Sequence, residues 1–247
     1  AQYSNMSILF LLISCSKGRE FLLANSHLFG GITLESICRL VKGKGEYHHN
    51  SSVLYWLVRT EEGLIIFDKL LKAQPHMARQ FDEQYLCKDD LLIYDERVSS
   101  PFTCLSASEN GMSILLAHPD LLRGVTRDGL STHFGKLFIS PCYFSPLYLL
   151  SLTLIGRQVL LTAIERIPDF KHKISAEALF YVLGPNVEDD LENTSVLYWL
   201  SSNDSGRLIL KHLFLKRNLI FKLPNRLYVR HDLTATRRHL VPLHCIG

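Results

Sequence analysis

The chain has 247 residues and a net charge of +3, with 47% hydrophobic and 21% charged residues, enough apolar material for a packed core and too little charge for disorder. Mean hydropathy is +0.09, and no apolar run reaches the roughly 18 residues a membrane span needs. The six cysteines, at positions 15, 38, 87, 104, 142 and 245, include no C-x-x-C pair; this argues against a zinc ribbon or a secreted disulfide framework and for buried thiols in a reducing, intracellular setting.

In chain order, the apolar stretch 6–15 reads as a first buried strand turning at Ser16-Lys17-Gly18. It has the length of a signal-peptide core but lacks a charged flank and a cleavage site. Residues 32–41 read as a strand. Residues 51–58 and 64–67 are rich in β-branched and aromatic side chains, and Arg59 to Gly63 between them predicts a hairpin. A helix is expected over 69–85, interrupted near Pro75. Short buried strands are expected at 91–94 and 113–117, with Pro119 opening a short helix that ends before Gly124. Further strands are expected at 137–139, 149–154 and 158–162, with Gly156-Arg157 as a turn. Ser175 predicts an N-cap for a helix over 176–183 with Ala178 on its inner face. Residues 188–200 read as helical, and 219–221 and 226–229 as short strands. No linker interrupts the series, which predicts one layered α/β domain over 1–247. The hexapeptide Ser-Val-Leu-Tyr-Trp-Leu occurs at Ser52 and again at Ser195; its flanks do not extend the match, so it reads as a local coincidence.

Charge is uneven along the chain. Between Gly206 and Arg238 stand Arg207, Lys211, Lys216, Arg217, Lys222, Arg226, Arg230, Arg237 and Arg238, against Asp232 alone. Such a segment on a mildly acidic body suits a polyanion partner, with RNA the expected class: cations contact phosphates and the interspersed Phe214, Phe221 and Tyr228 stack on bases. The alternative is an ordinary solvated face contacting protein only.

Three blocks resemble the metallo-β-lactamase fold superfamily, in its lactonase and glyoxalase-II-like branch. Tyr55 to Asp68 is similar to the hairpin ending in an Asp-Thr-Gly turn, with Asp68 retained. The segment Leu92-Ile93-Tyr94-Asp95-Glu96-Arg97-Val98-Ser99-Ser100-Pro101 stands where H-x-H-x-D-H would follow a strand, and Glu96, Val98, Ser100 and Pro101 occupy the ligand positions. Phe138 to Tyr148 resembles a histidine-bearing turn, with Tyr143 and Tyr148 in place of histidines. Ile164 falls at the bridging aspartate, and His231 is the one ligand the resemblance leaves.

The resemblance implies a four-layer αββα sandwich. With the ligands gone, it implies no metal, no cofactor and no hydrolysis, because a zinc hydrolase needs converging imidazole and carboxylate ligands to generate hydroxide. What it then implies is a catalytically inactive structural or interaction subunit of a larger assembly with protein partners and no membrane. A mitochondrial or other organellar ribonucleoprotein is the expected setting. The rivals are a metal-dependent lactone or thioester hydrolase with a reorganised site around Glu96, Tyr143 and His231, and a small-molecule-binding protein using the vacated cleft.

Overall fold

The computed structural model describes residues 7–39, 52–87, 100–131, 145–180 and 195–214. Each of these five segments carries the same kind of helix pair, followed in the first four by two further short helices. The first comprises helix α1 (Ile8–Ser14), helix α2 (Ser16–Ala24), a 3-10 helix (Ser26–Gly31) and α3 (Leu34–Cys38). The second has α4 (Val53–Arg59), α5 (Glu61–Ala73), a 3-10 helix (Pro75–Gln80) and α6 (Glu83–Leu86). The third has α7 (Pro101–Ser106), α8 (Glu109–Ala117), a 3-10 helix (Pro119–Gly124) and α9 (Arg127–Ser131). The fourth has α10 (Pro146–Leu152), α11 (Leu154–Arg166), α12 (Phe170–Lys173) and α13 (Ala176–Phe180), and the fifth has α14 (Val196–Ser201) and α15 (Asp204–Phe214).

A short list of residues writes each unit. Ser7, Ser52, Ser100, Ser145 and Ser195 cap the five first helices, each Oγ accepting the backbone N–H three residues on, at 3.1 to 3.3 Å. Eight residues later Thr60, Ser108, Thr153 and Asn203 cap the second helices of units two to five through the N–H of Gly63, Gly111, Gly156 and Gly206. Those glycines, with Gly18 of the first unit, recur at spacings of 45, 48, 45 and 50 residues. A Cβ on any of them would lie under 3.0 Å from the carbonyl oxygen of the leucine six positions earlier: Leu12, Leu57, Leu105, Leu150 or Leu200. Glycine therefore sets how closely the two helices of a pair cross. The next residue is arginine in three units, and Arg19, Arg157 and Arg207 each reach back to the last carbonyls of the first helix, at Ile13, Ser151 and Ser201.

The units stack in a row. First helices pack on first helices, α1 on α4, α4 on α7, α7 on α10 and α10 on α14. Second helices do the same, α2 on α5, α5 on α8, α8 on α11 and α11 on α15. One continuous core runs through the row, including Phe67, Phe81, Phe102 and Phe170. The main contacts between elements run within a unit or between neighbouring units, the signature of a solenoid-like helical repeat.

The αββα sandwich is overturned: 82% of the described residues are helical and none of them is in a strand. The expected strand 6–15 is α1 and the cap of α2 from residue 7 on, with Ser16-Lys17-Gly18 as the first turn of α2 rather than a strand turn. The expected strand 32–41 holds α3. The expected hairpin is α4 followed by α5, its turn being the cap Thr60 and the close-packed Gly63. Residues 113–117 lie in α8, 149–154 in α10 and the start of α11, and 158–162 in α11, which also contains the expected turn Gly156-Arg157.

The physical reason lies in the first helices. In α4, Val53, Leu54, Tyr55, Leu57 and Val58 are all buried, and a helix buried on every side shows no 3.6-residue alternation to tell it from a buried strand. The expected strands at 91–94, 137–139, 219–221 and 226–229 lie outside the described residues. The helix expected over 69–85 is instead the end of α5, a 3-10 turn opened by Pro75, and α6. Of the region 188–200, residues 188–194 lie outside the described residues, and 196–200 are in α14 behind its cap Ser195. Pro119 opens a short helix as expected, in 3-10 form and running through Gly124 rather than ending before it. Ser175 does cap α13, accepting the Ala178 N–H at 3.1 Å, and Ala178 is buried.

The repeated hexapeptide is no coincidence. Both copies are the capped first helix of a unit, in the second and the fifth. Among the described residues no single helix is long and apolar enough to cross a membrane; α10 and α11 reach that length only together and bend by 117° between them.

Candidate interaction face

Of the positions the sequence assigned to a vestigial metal site, Asp68, Ser100, Pro101 and Ile164 are described, and each has a local role of its own. Asp68, on α5, binds Lys72 Nζ at 2.6 Å and His118 Nε2 at 3.0 Å. Ser100 is the buried cap of α7 and hydrogen bonds Thr103, Pro101 is the first residue of that helix, and Ile164 lies in the core from α11. These residues stand in three different units, each with a local structural role. Glu96, Val98, Tyr143 and His231 lie outside the described residues. Tyr148, which the resemblance put in place of a histidine, accepts the Trp199 indole N–H at 3.2 Å. Among the described residues no group of three His, Cys, Asp or Glu side chains is placed to hold a metal ion.

Of the polyanion candidates, Arg207 and Lys211 are described, both on α15. The Arg207 guanidinium donates to Ser201 O and to the Asp204 carboxylate, in the same capping role as Arg19 and Arg157. Lys211 is exposed. Lys216, Arg217, Lys222, Arg226, Arg230, Arg237 and Arg238 lie outside the described residues.

What the stack does bring together is a row of side chains at one register position, four residues after each capping serine: Leu11, Trp56, Cys104, Leu149 and Trp199. In units two to five almost all of the first helix is buried and this position is half-buried. Because α1, α4, α7, α10 and α14 lie side by side, the five form an apolar stripe across the units. The chain's two tryptophans both belong to it. Each is held edge-on by the tyrosine before it: Tyr55–Trp56 at 5.8 Å and 85°, Tyr198–Trp199 at 5.5 Å and 84°. Arg59 stacks over the Tyr55 ring at 5.1 Å. Sequence reasoning missed this face, although the repeated hexapeptide carries both tryptophans.

Polar links fasten neighbouring units to one another. Gln74 Nε2 donates to Phe29 O and Ile32 O at 2.6 and 2.8 Å, tying the second unit to the first. Asp68 with His118 and Arg79 with Asp120 (2.9 Å) bridge the second and third units. Lys173 Nζ donates to Val125 O at 2.6 Å, and burial lowers its pKa. Arg157 Nε donates to Ser205 Oγ at 3.0 Å, joining the fourth and fifth units.

Such a row offers a preformed, repetitive surface with aromatic anchors and fixed spacing, the property that lets helical-repeat stacks hold extended partners. The comparisons lend the metallo-β-lactamase resemblance no support: no protein-family model, no curated protein and no solved structure matches the chain.

Proposed function

We propose that the chain is a helical-repeat interaction scaffold that binds a protein partner along the stripe of Leu11, Trp56, Cys104, Leu149 and Trp199. The observation that carries this reading is the recurrence of an apolar side chain that stays open at one position of all five first helices, exposed at Leu11 and partly buried in units two to five, where the rest of the helix is almost wholly buried. Tryptophan and tyrosine are among the side chains that dominate binding at protein interfaces. The row geometry suits a segment of polypeptide laid across the units, with apolar side chains meeting successive anchors.

The test selects binders from a display library of random 15-residue peptides and follows the emission of Trp56 and Trp199 on titration. The reading expects peptides with spaced apolar residues, a blue shift on binding, and affinity weakened at least about tenfold by Trp56→Ala or Trp199→Ala, the loss typical of an interface anchor. Peptides whose binding neither variant changes would place the partner elsewhere and sink the proposal.

A further inference from the structure

Terminal units of a helical stack need a polar outer face, because an internal unit's face is built to be covered. The first unit lacks such a face. Ile8, directly after the cap of α1, is 78% exposed, whereas its equivalents Val53 and Val196 are 1% and 2% exposed. Phe21, on α2, is 49% exposed; Ile66, Ile114, Val159 and Ile209 at the same position are each 5% exposed or less. Leu28, in the 3-10 turn, is 42% exposed against 1% or less for Met77, Leu121 and Phe170.

Three apolar positions, one in each successive element of the unit, are thus covered among the described residues of units that follow another unit and open in the first unit. They belong to the surface by which units two to five lean on the unit before them. Its chemistry in the first unit is that of an internal joint. Scattered exposed residues such as Ile65 or Leu154 show no such contrast, and single exposed apolar side chains are ordinary.

We propose that this leading face of the first unit is a docking surface for one further helix pair of the same repeat type, seated on Ile8, Phe21 and Leu28 as each described unit seats on the next. The joint also specifies which kind of unit fits. Lys17 stands where the second unit has Glu62, the carboxylate that meets Arg19 at 3.4 Å. A docking unit with arginine after its close-packed glycine would set two cations against each other. The face therefore takes a unit with an apolar residue there, as Leu64 and Met112 are in the second and third units.

The test lengthens the chain by a second copy of residues 52–99 placed directly before Ser7, so that the added unit leads into Ser7 as it leads into Ser100. Its own exposed leading residues, Val53, Ile66 and Met77, replace Ile8, Phe21 and Leu28 as the open face, so any gain comes from the new joint. The expected result is a higher denaturation midpoint and amide exchange in α1 and α2 slowed about tenfold or more. The pair Ile8→Asp and Phe21→Asp should abolish that gain in the lengthened chain while leaving the original chain's midpoint unchanged, since both side chains are exposed there. A lengthened chain with no gain overturns the proposal, as does a midpoint loss from the aspartate pair in the original chain. Concentration-dependent association of the original chain that protects α1 and α2 also overturns it, by making a second copy the occupant.

Discussion

The Trp199 indole Nε1 donates to the Tyr148 hydroxyl at 3.2 Å across the joint between the fourth and fifth units. Tyr55, at the position of Tyr148 in the second unit, is 1% exposed and its hydroxyl has no hydrogen-bond partner among the described residues. One phenol holds a joint and the other hides a polar atom, so the same substitution should act oppositely at the two sites. Tyr148→Phe leaves a partly buried indole N–H without its acceptor and is expected to cost about 1 kcal/mol or more. Tyr55→Phe removes an unsatisfied group and is expected to be neutral or stabilising. Urea midpoints of the two variants decide it, and equal losses would contradict the assignment.

The close-packed glycines make a second contrast. Alanine is worth about 1 kcal/mol more than glycine in a helix interior, so Gly156→Ala in α11 should stabilise if space allowed. A Cβ there would meet the Leu150 backbone instead, and backbone has little room to yield. The expectation is a net loss of about 1–3 kcal/mol from overpacking, with Gly206→Ala behaving alike against Leu200. Gly30→Ala is the control, since nothing lies within 4 Å of a Cβ at that site. Thermal unfolding of the three variants should leave the control at or above the parent chain and the other two clearly below it.

Much of this architecture was present in the sequence as a spaced pattern rather than as periodicity. Ser7, Ser52, Ser100, Ser145 and Ser195 each precede a glycine by eleven residues, and Thr60, Ser108, Thr153 and Asn203 stand three before it. Periodicity misled because the first helices are buried on nearly every side, and because Thr60 to Gly63 has the composition of a hairpin turn while forming a cap. Local capping chemistry was readable at Ser175, where hydroxyl, spacing and Ala178 agree with the structure. The tryptophan stripe was harder to see: Trp56 and Trp199 become neighbours in kind only once the units are laid on one another. Asp68 shows the opposite error, a carboxylate assigned by analogy to a metal site and held in fact by Lys72 and His118.

Acid should loosen the joint between the second and third units first. Burial works to raise the Asp68 carboxyl, but hydrogen bonds from Lys72 and His118 outweigh it and hold the group below the ordinary aspartate range. Hydrogen bonds from Arg79 and Arg123 hold Asp120 low as well. A carboxylate with a depressed folded-state pKa adds stability that is complete above the unfolded-chain value and is lost as pH falls through the folded value. Denaturation midpoints should therefore be flat near neutrality and decline below the ordinary carboxylate range, and Asp68→Asn should flatten part of that decline. An unchanged acid limb in Asp68→Asn would show that the His118 bridge does not stabilise the joint.

Cysteine reactivity reads the same joint from inside. Burial raises the Cys87 thiol, an effect only partly offset by Thr126, and its Sγ sits against Gly124 O at 4.0 Å. Gly129, in α9, leaves room for that sulfur, since a Cβ there would collide with it. Cys15, between α1 and α2, is exposed. Because the thiolate is the nucleophile and must be reached to react, a short iodoacetamide pulse at pH 8 followed by peptide mass spectrometry should label Cys15 at least about ten times faster than Cys87. Asp68→Asn should narrow that ratio at pH 8, where the parent chain's bridge is intact, if the bridge and the buried thiol report one opening event. Cys87 labelled as fast as Cys15 in the parent chain would mean that the second and third units part far more often than their packing implies.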